Sequence, residues 1–413
     1  MRSLRKSWRE TFAPVLRARW AAHGVTLLRI GVVFMSIAAL GRLGNAFPQL
    51  LWESGILRAK DLKYRYGEVH RWFAGLPVYG AMENGDYPPA SYAILWPFLG
   101  WLSFASARWL WAVTTIAALG WLAYLSVRES KASTFLQRIF VALLVFSAYP
   151  THITIAGGQL INHILPMLLA GLFLLHSGRG RWQEDLLAAS LLVPTLVKPT
   201  VSAPFFWIVC FMPSRLRPIL LVSLGYITLT LLAASFQEVD LLTLLQNWLE
   251  QTRTQTNIEA GHANIHKWLA AAGLEEWRLP VSFALLIALG LWTRRHRQAD
   301  IWILLGVAAV VSRFWISHRL QDDLLILAPM ITLFRLAKQG PDLQGSDVTA
   351  GVLFALTWAT MLAPARMLRF PPPLPIMMEA GQSIVWLAVL MFLASGRALA
   401  PCPQRSENAV YVA

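Results

Sequence analysis

The chain has 413 residues, of which 56% are hydrophobic and 14% are charged, and its formal net charge is +14. Soluble chains are about one quarter charged on average, so this composition excludes an ordinary soluble domain and indicates many transmembrane helices. The positive charge does not indicate nucleic-acid binding, because the basic residues occupy short hydrophilic breaks between apolar stretches.

The first apolar stretch, residues 25–43, is long enough to cross a membrane and follows a basic segment that ends at Arg19. Basic residues beside a membrane helix remain in the cytoplasm, which places the N-terminus inside and makes this helix a retained signal anchor. The next segment, residues 44–86, then lies outside. It carries five basic and five acidic residues, and this neutral balance is typical of an external loop.

Residues 87–104 form an aromatic segment interrupted by Pro88, Pro89 and Pro97. If this segment crossed the membrane, the basic break at 128–138 would face outward, against the positive-inside rule. We therefore predict a juxtamembrane or re-entrant hairpin on the outer face.

The rest of the chain alternates across the membrane with its basic breaks inside. The sequence thus predicts an all-α polytopic membrane protein of about twelve transmembrane helices, with external juxtamembrane helices and both termini in the cytoplasm. We divide it into a core membrane module, 1–236, whose first external loop is 44–106, and a second part, 237–413, with an external loop and C-terminal helices. The further spans are approximately 107–127, 138–156, 159–176, 184–197, 199–212, 218–236, 280–293, 300–316, 323–337, 348–365 and 376–396.

Polar residues that are not basic flanks concentrate at the predicted outer ends of the helices. Ionisable groups at membrane depth are costly and usually functional, facing a cavity or one another. The pattern therefore predicts an external site at the boundary between water and lipid. Its candidate members are Asp61, Gln159, Asn162, His163, Lys198, Arg313, His318, Asp322 and Asp323.

Several short motifs connect these candidate residues. They are the segment from Asp61 to Tyr79, Tyr87-Pro88-Pro89 before an aromatic helix, Gly158-Gln159 at the start of a helix, Lys198-Pro199 within an apolar run, and Arg313 to Asp323 before an apolar helix that ends in Pro329. Each motif is weak alone, but in their order and spacing residues 25–340 resemble glycosyltransferase family 87.

The resemblance implies a GT-C-type bundle and a transferase that uses polyprenyl-phosphate sugars, typically mannose, outside the plasma (inner) membrane. It implies that Asp61 is the catalytic residue of the first external loop and that His318 contacts the donor phosphate. The family often has Gly-Gln-x-Asn, whereas one more residue separates Gln159 from Asn162 in this chain. The motif therefore assigns no definite role to Asn162.

The residue types fit this chemistry even without the family resemblance. Transfer of a hexose from a lipid phosphate to a hydroxyl needs a base at the acceptor oxygen and positive charge at the departing phosphate. We predict Asp61 as general base of an inverting reaction, with Arg313, His318 and Lys198 at the phosphate and no metal or cofactor. The predicted partners are a polyprenyl-phosphate sugar donor, a lipid or glycan acceptor and membrane lipids, and no nucleic acid. The predicted substrate-binding residues are Gln159, Asn162, Tyr87 and Asp322.

Most of these charged residues also have a purely structural interpretation. Asp61 could cap the helix that follows it, which does not exclude catalysis. Lys198 and Arg313 could anchor helix ends, and His318 could be an ordinary hydrogen-bonded loop residue. The pair Asp322–Asp323 suits the start of a helix better than it suits a metal site.

The polar and aromatic candidates have such interpretations as well. Gln159 and Asn162 could only satisfy backbone groups of the turn in which they lie. The aromatic run Tyr87–Trp101 is more typical of an interfacial wedge than of a sugar platform.

A secondary transporter or flippase for a lipid-linked or small polar substrate is the main alternative to an enzyme. Transporters typically have internal repeats and ionisable residues near the middle of the bilayer. The sequence has no visible repeat and its candidates lie near one face, which favours the enzyme. A third interpretation that the sequence permits is a catalytically inactive scaffold protein.

Overall fold

A computed structural model of the protein describes residues 12–53, 57–82, 84–212, 216–254, 264–316, 318–338, 346–362, 371 and 373–395. Within these ranges every regular element is a helix, which confirms the prediction of an all-α protein. Two short 3₁₀ segments, Glu275–Trp277 and Leu320–Ile326, accompany the α-helices. The α-helices are α1 Ala13–Trp52, α2 Lys60–Phe73, α3 Pro89–Leu99, α4 Phe104–Glu129, α5 Phe135–Ser147, α6 Tyr149–Gly157, α7 Ile161–Ser177, α8 Trp182–Thr195, α9 Pro199–Phe211, α10 Leu216–Ala234, α11 Leu241–Thr254, α12 Ile265–Ala271, α13 Arg278–Arg295, α14 Ile301–Phe314, α15 Leu327–Ala337, α16 Ser346–Leu362 and α17 Leu374–Ala394.

Several helices are long and apolar enough to cross a membrane, so the chain is a multi-pass membrane protein. In the described ranges four helices meet this condition, or five if α5 and α6 form one bent span. Shorter apolar helices of 10–17 residues accompany them. The predicted total of about twelve spans stays a prediction. The four long helices are Ala22–Trp52, Phe104–Glu129, Leu216–Ala234 and Met377–Ala394.

The first helix is longer than the predicted span of 25–43, because α1 continues to Trp52. Its last turns still pack into the protein, with Ala46 and Leu50 fully buried. The helix ends at Glu53, which has a left-handed backbone with φ of 50°. Nine residues assigned to the first external loop are therefore part of a helix.

Within the segment 87–104 lies a short helix, α3, and the prediction that this segment does not cross the membrane stays a prediction. Its eleven residues span about 16 Å, roughly half of a hydrocarbon core of about 30 Å. It packs on α10 and α2. Trp72 of α2 stacks on Tyr92 of α3, with ring centroids 4.3 Å apart, and donates from Nε1 to the carbonyl of Ala233, 2.8 Å away.

The predicted span 138–156 is broken into α5 and α6, which meet at an angle of 47°. Pro150 lies in the first turn of α6, where a proline starts a helix well but cannot continue the preceding one. Thr151 compensates part of the break by donating from its hydroxyl to the carbonyl of Val145. The bend brings the C-terminal end of α6 to the beginning of α2.

Helix α14 lies at the centre of the bundle, with all fourteen residues buried. It extends over about 21 Å at 1.5 Å per residue and so separates two ends of the molecule. At one end Asp300, just before α14, accepts from Arg335 at 2.8 Å, and Arg335 also donates to the carbonyl of Glu129. The other end, beyond Phe314, carries the cavity described next.

Candidate functional site

Loops and helix ends from five separate stretches of the chain surround a cavity of about 210 Å³. The first stretch is the start of α2, and the others are the turns around residues 85, 159, 199 and 319, with one residue added from α11. Its lining residues are Asp61, Tyr64, Arg65, Asn84, Asp86, Tyr87, Gly158, Gln159, Leu160, Lys198, Thr200, Thr252, Ile316, His318, Arg319, Gln321 and Asp322.

Six of the eight residues to which the sequence analysis assigns a catalytic or binding role line this cavity. They lie up to 261 positions apart in the chain, and only the fold brings them together. The cavity residues lie on both sides of the predicted division at residue 236, which itself stays a prediction. The six residues are Asp61, Tyr87, Gln159, Lys198, His318 and Asp322.

Arg313 and Asn162, the other two of these eight residues, do not line the cavity. Arg313 is completely buried near the end of α14, where its Nε donates to Asp323 and its guanidinium lies 5.6 Å from the ring of Trp386. Asn162 is buried as well, and its Oδ1 accepts from the hydroxyl of Thr154 at 2.8 Å. Both side chains are therefore bonded to buried partners behind the wall of the cavity and do not face its interior.

Asp61 lies in the first turn of α2, beside the turn that ends α6. The amide of Ala59 donates to the carbonyl of Ala156 at 3.0 Å and joins the two elements. A Cβ on Gly157 would lie 2.9 Å from Oδ2 of Asp61. Gly158 has a φ of +72°, the left-handed conformation that glycine adopts without strain. Gly157 therefore provides the room in which the Asp61 carboxylate lies, and Gly158 provides the turn that follows it.

Helix capping does not account for Asp61. The residue at the cap position of α2 is Ala59, and no side chain makes a capping hydrogen bond there. Asp61 instead occupies the first turn, where a negative charge interacts favourably with the helix dipole. Its carboxylate faces the cavity, and within the described part of the chain it forms no ion pair.

Lys198, His318 and Asp322 form a hydrogen-bonded cluster in the cavity wall. Lys198 precedes α9 and donates from Nζ to Oδ1 of Asp322 at 2.7 Å. Nδ1 of His318 lies 2.9 Å from Oδ2 of the same carboxylate. All three side chains are largely buried, with Lys198 the most exposed at 16%.

Charge interactions set the protonation states in this cluster. Burial raises the pKa of Asp322, but Lys198 and His318 outweigh this effect and hold the pKa well below its usual range. Burial lowers the pKa of Lys198, and the nearby Asp322 more than offsets it, so the ammonium is stabilised. For His318 burial prevails over Asp322, and its pKa is lowered. At neutral pH the cluster is an ionised carboxylate, an ammonium and a neutral imidazole.

The ionised carboxylate also selects the tautomer of His318. Nδ1 must carry the proton that Asp322 accepts, so Nε2 is left with a lone pair. Nε2 is buried and has no hydrogen-bond partner among the described residues. An anion that approaches Nε2 would favour the protonated imidazole, which then donates to it.

A second charged group, which the sequence analysis missed, supports Tyr87. Arg65 lies 2.8 Å from Glu68 and 3.4 Å from Asp86, and its guanidinium lies over the ring of Tyr87 at 3.9 Å. It also donates to the carbonyl of Asn84 at 2.6 Å. The spacing of three residues between an arginine and a glutamate on a helix was the available signal.

Helix α11 closes the cavity from the second part of the chain. Its Gln251 accepts from the amide of Gly80 at 3.0 Å and donates to the carbonyl of Met82 at 3.2 Å. Trp248 donates from Nε1 to the carbonyl of Asp86 at 2.9 Å. The second part of the chain, 237–413, thus begins with a helix that holds the α2–α3 connection, and Thr252 of this helix lines the cavity.

The acidic pair Asp322–Asp323 does not act as one unit. Asp322 faces Lys198 in the cavity wall, whereas Asp323 accepts from Arg313 outside it. Across the residues that the structure describes, no group of three or more His, Cys, Asp or Glu side chains is arranged to hold a metal ion.

Comparison with known proteins gives one match. A family model described as glycosyltransferase family 87 matches residues 86–311, which is more than half of the chain. The matched range includes Tyr87, Gln159 and Lys198, whereas Asp61 and His318 lie outside it. Neither the curated proteins nor the solved structures contain a match.

Proposed function

The chain belongs to glycosyltransferase family 87, and from this membership we propose that it transfers a hexose, with mannose as the first candidate, from a polyprenyl-phosphate sugar to a hydroxyl of a lipid-linked or glycan acceptor. Membership makes it a membrane glycosyltransferase. The donor class, the sugar and a GT-C-type arrangement of the helices are parts of the proposal. The observation that carries it is the cavity that Asp61 shares with the Lys198–His318–Asp322 cluster.

The proposed reaction is a single displacement at C1 of the sugar. The bond from C1 to the phosphate oxygen breaks, and its electron pair leaves with the lipid phosphate. The acceptor oxygen bonds to C1 from the opposite side and gives its proton to the carboxylate of Asp61, which inverts the configuration. The phosphate gains a negative charge in this step, and Lys198 and protonated His318 stabilise that charge.

Gln159 and Tyr87 have a binding role in this proposal. Both line the cavity and can contact sugar hydroxyls, Gln159 through its amide and Tyr87 through its ring edge and hydroxyl. Asp322 acts through its neighbours, because both of its oxygens are occupied by Lys198 and His318. The proposed site requires no metal, since the cavity carries its own cations.

We further propose that the protein lies in the plasma (inner) membrane with both termini in the cytoplasm and the cavity outside. The charge distribution supports this orientation, because Arg128, Lys131 and Arg138 lie at the end of the molecule opposite the cavity. A lipid-linked donor reaches the site from the outer leaflet in this arrangement.

Purified protein incubated with a panel of polyprenyl-phosphate sugars and extracted membrane lipids tests the proposal. We expect transfer from one donor, preferably the mannose derivative, detected by mass spectrometry of the glycosylated acceptor, and we expect it to survive EDTA. An activity that EDTA abolishes and magnesium or manganese restores would contradict the metal-free part. Movement of a lipid-linked sugar across proteoliposomes without any transfer would instead support a flippase.

A further inference from the structure

We propose that Arg319 binds the phosphate of the lipid donor and product, in the place that the sequence assigned to Arg313. The identity of the ligand, a prenyl phosphate, rests on the proposed function. The choice of Arg319 as the residue that binds it rests on the geometry of the cavity. Arg319 follows His318 directly and lines the cavity with an exposed side chain.

Most charged residues of the cavity wall form ion pairs, and two of them form none with a described residue. Lys198 pairs with Asp322 at 2.7 Å, and Arg65 pairs with Asp86 at 3.4 Å. Asp61 and Arg319 also line the wall, and neither forms an ion pair with any described residue. Among the described residues, the cavity therefore presents one carboxylate and one guanidinium whose charges no neighbour neutralises. A base and a phosphate-binding cation are the two groups that the proposed displacement requires.

Arg313 is unsuited to the same task. Its guanidinium is fully buried, bonded to Asp323 and stacked near Trp386. Contact with a phosphate would require breaking a buried ion pair and leaving Asp323 as an unpaired buried charge, which is strongly destabilising. The pair instead holds the end of α14 against the 3₁₀ segment that carries Asp322.

The local backbone explains why neighbouring residues have different environments. Arg319 is extended, with φ of −100° and ψ of 174°. In extended chain consecutive side chains point to opposite sides, so His318 is directed into the protein and Arg319 toward the open cavity. Both still line the cavity, His318 from its buried wall and Arg319 from its exposed one. A phosphate in the cavity would meet the guanidinium fork of Arg319 at the exposed side of the wall that His318 also lines.

The chemistry of the ligand predicts when Arg319 matters most. The donor is a phosphodiester with one negative charge, and the leaving prenyl phosphate is a monoester that carries about two. A cation at the phosphate therefore stabilises the transition state and the product more than the bound donor. Loss of Arg319 should lower kcat more than it raises KM for the donor, and it should weaken inhibition by the product.

The test is binding of farnesyl phosphate to purified full-length protein, measured beside farnesol and inorganic phosphate. Arg319→Ala should weaken binding of farnesyl phosphate about tenfold to a hundredfold, as expected for a lost charge-assisted hydrogen bond. It should leave farnesol binding unchanged, and Arg319→Lys should restore part of the affinity. Inorganic phosphate should bind far more weakly than farnesyl phosphate, because the site serves a lipid.

Lys63→Ala is the matched control, since Lys63 is an exposed cation at the same end of the molecule, 64% exposed and outside the cavity wall. It should bind farnesyl phosphate as the wild type does. Equal weakening by Lys63→Ala, or unchanged binding by Arg319→Ala, would overturn the assignment. Binding that depends on Arg319 in a protein that transfers no sugar would refute the proposed function and keep the phosphate site. Normal transfer and product inhibition in Arg319→Ala would refute the site and keep the function.

Discussion

Asparagine at position 61 keeps the shape of aspartate and loses its basicity. If Asp61 accepts the acceptor proton, Asp61→Asn should reduce transfer by about 10²–10⁴-fold, the usual loss when a general base is removed. Binding of farnesyl phosphate should stay near the wild-type affinity, because the phosphate contacts lie on other residues. Turnover and binding measured on the same preparation check both statements. Transfer near the wild-type rate would remove Asp61 from the chemistry.

Glu68 should give the protein a characteristic pH dependence of stability. Its carboxyl is fully buried, and burial raises its pKa to about 8 although Arg65 partly opposes the shift. The folded protein thus keeps a proton that the unfolded chain releases above the ordinary pKa of 4.5. The stabilisation from this proton is complete below about pH 4.5 and is lost as the pH rises through about 8.

Glu68→Gln tests this sign, because the amide resembles the protonated acid at every pH. Thermal unfolding in detergent should show the wild type losing stability between about pH 5 and pH 8, and the variant losing less. Identical slopes for the two proteins would mean that the Arg65–Glu68 pair is ionised in the folded state.

Sequence reasoning selected some residues that line the cavity and others that do not, and the difference has a physical reason. Asp61, Lys198 and His318 were predicted from their type and position, and the fold brings them to one cavity. Arg313 was assigned to the phosphate because it ends a helix near the outer face, but which way a helix-end side chain turns depends on neighbours such as Asp323 that only the fold supplies. Arg319 has the same residue type and the opposite environment.

At the scale of elements, the turn between α6 and α7 is the part of the fold that positions the proposed base. Gly157→Ala adds a Cβ that meets the Asp61 carboxylate at 2.9 Å, so the carboxylate must move. A displacement of about 1 Å in a reacting group can cost about 10²-fold in rate. We expect Gly157→Ala to lower transfer by about that factor while farnesyl phosphate binding is retained.

Gly120→Ala is the control for this experiment. Gly120 lies within α4, and a Cβ there would meet nothing within 4 Å. Alanine is the better helix former, so this variant should be as active as the wild type and slightly more stable. Unimpaired transfer by Gly157→Ala would show that the glycine serves only the turn.

Element boundaries were predictable where the chain carries a local signal. The glycine pair at 157–158 and the Lys198–Pro199 turn both mark real helix ends. The bend between α5 and α6 was missed although Pro150 was visible, because an apolar run with one proline can be a kinked helix or two helices. The end of α1 was placed too early, since burial of its last turns depends on distant helices.

At the scale of the whole molecule, the orientation in the membrane is open to direct measurement. We expect Lys63→Cys, in a background without Cys210 and Cys402, to react with a membrane-impermeant maleimide in intact cells. Lys131→Cys, exposed at the opposite end, should react only after permeabilisation. The reverse pattern would place the cavity in the cytoplasm and would exclude an external donor.

The class of protein was fully predictable from composition, whereas the number of spans was not. The apolar content and the positions of the basic breaks can be read from the sequence without any tertiary contacts. Short helices such as α9 and α14 reach the required hydrophobicity only over 10–17 residues. Whether such a helix crosses depends on its neighbours and on local membrane thickness.

The Lys198–Asp322 pair has a consequence for how the protein is made. Its partners are separated by 124 residues, so at about 5–20 residues per second Lys198 is synthesised roughly 6–25 s before Asp322. During that time the newly synthesised segment from α8 to α9 carries an ammonium that lacks this carboxylate, and the wall of the cavity is incomplete. Ribosome-bound chains that end near residue 300 should therefore be modified at Lys198 by an amine reagent that leaves the finished protein unmodified there. Equal modification of both would mean that Lys198 stays accessible without its ion pair. The ion pair thus makes the site one of the last parts of the protein to mature, long after the segment that carries Asp61 has left the ribosome.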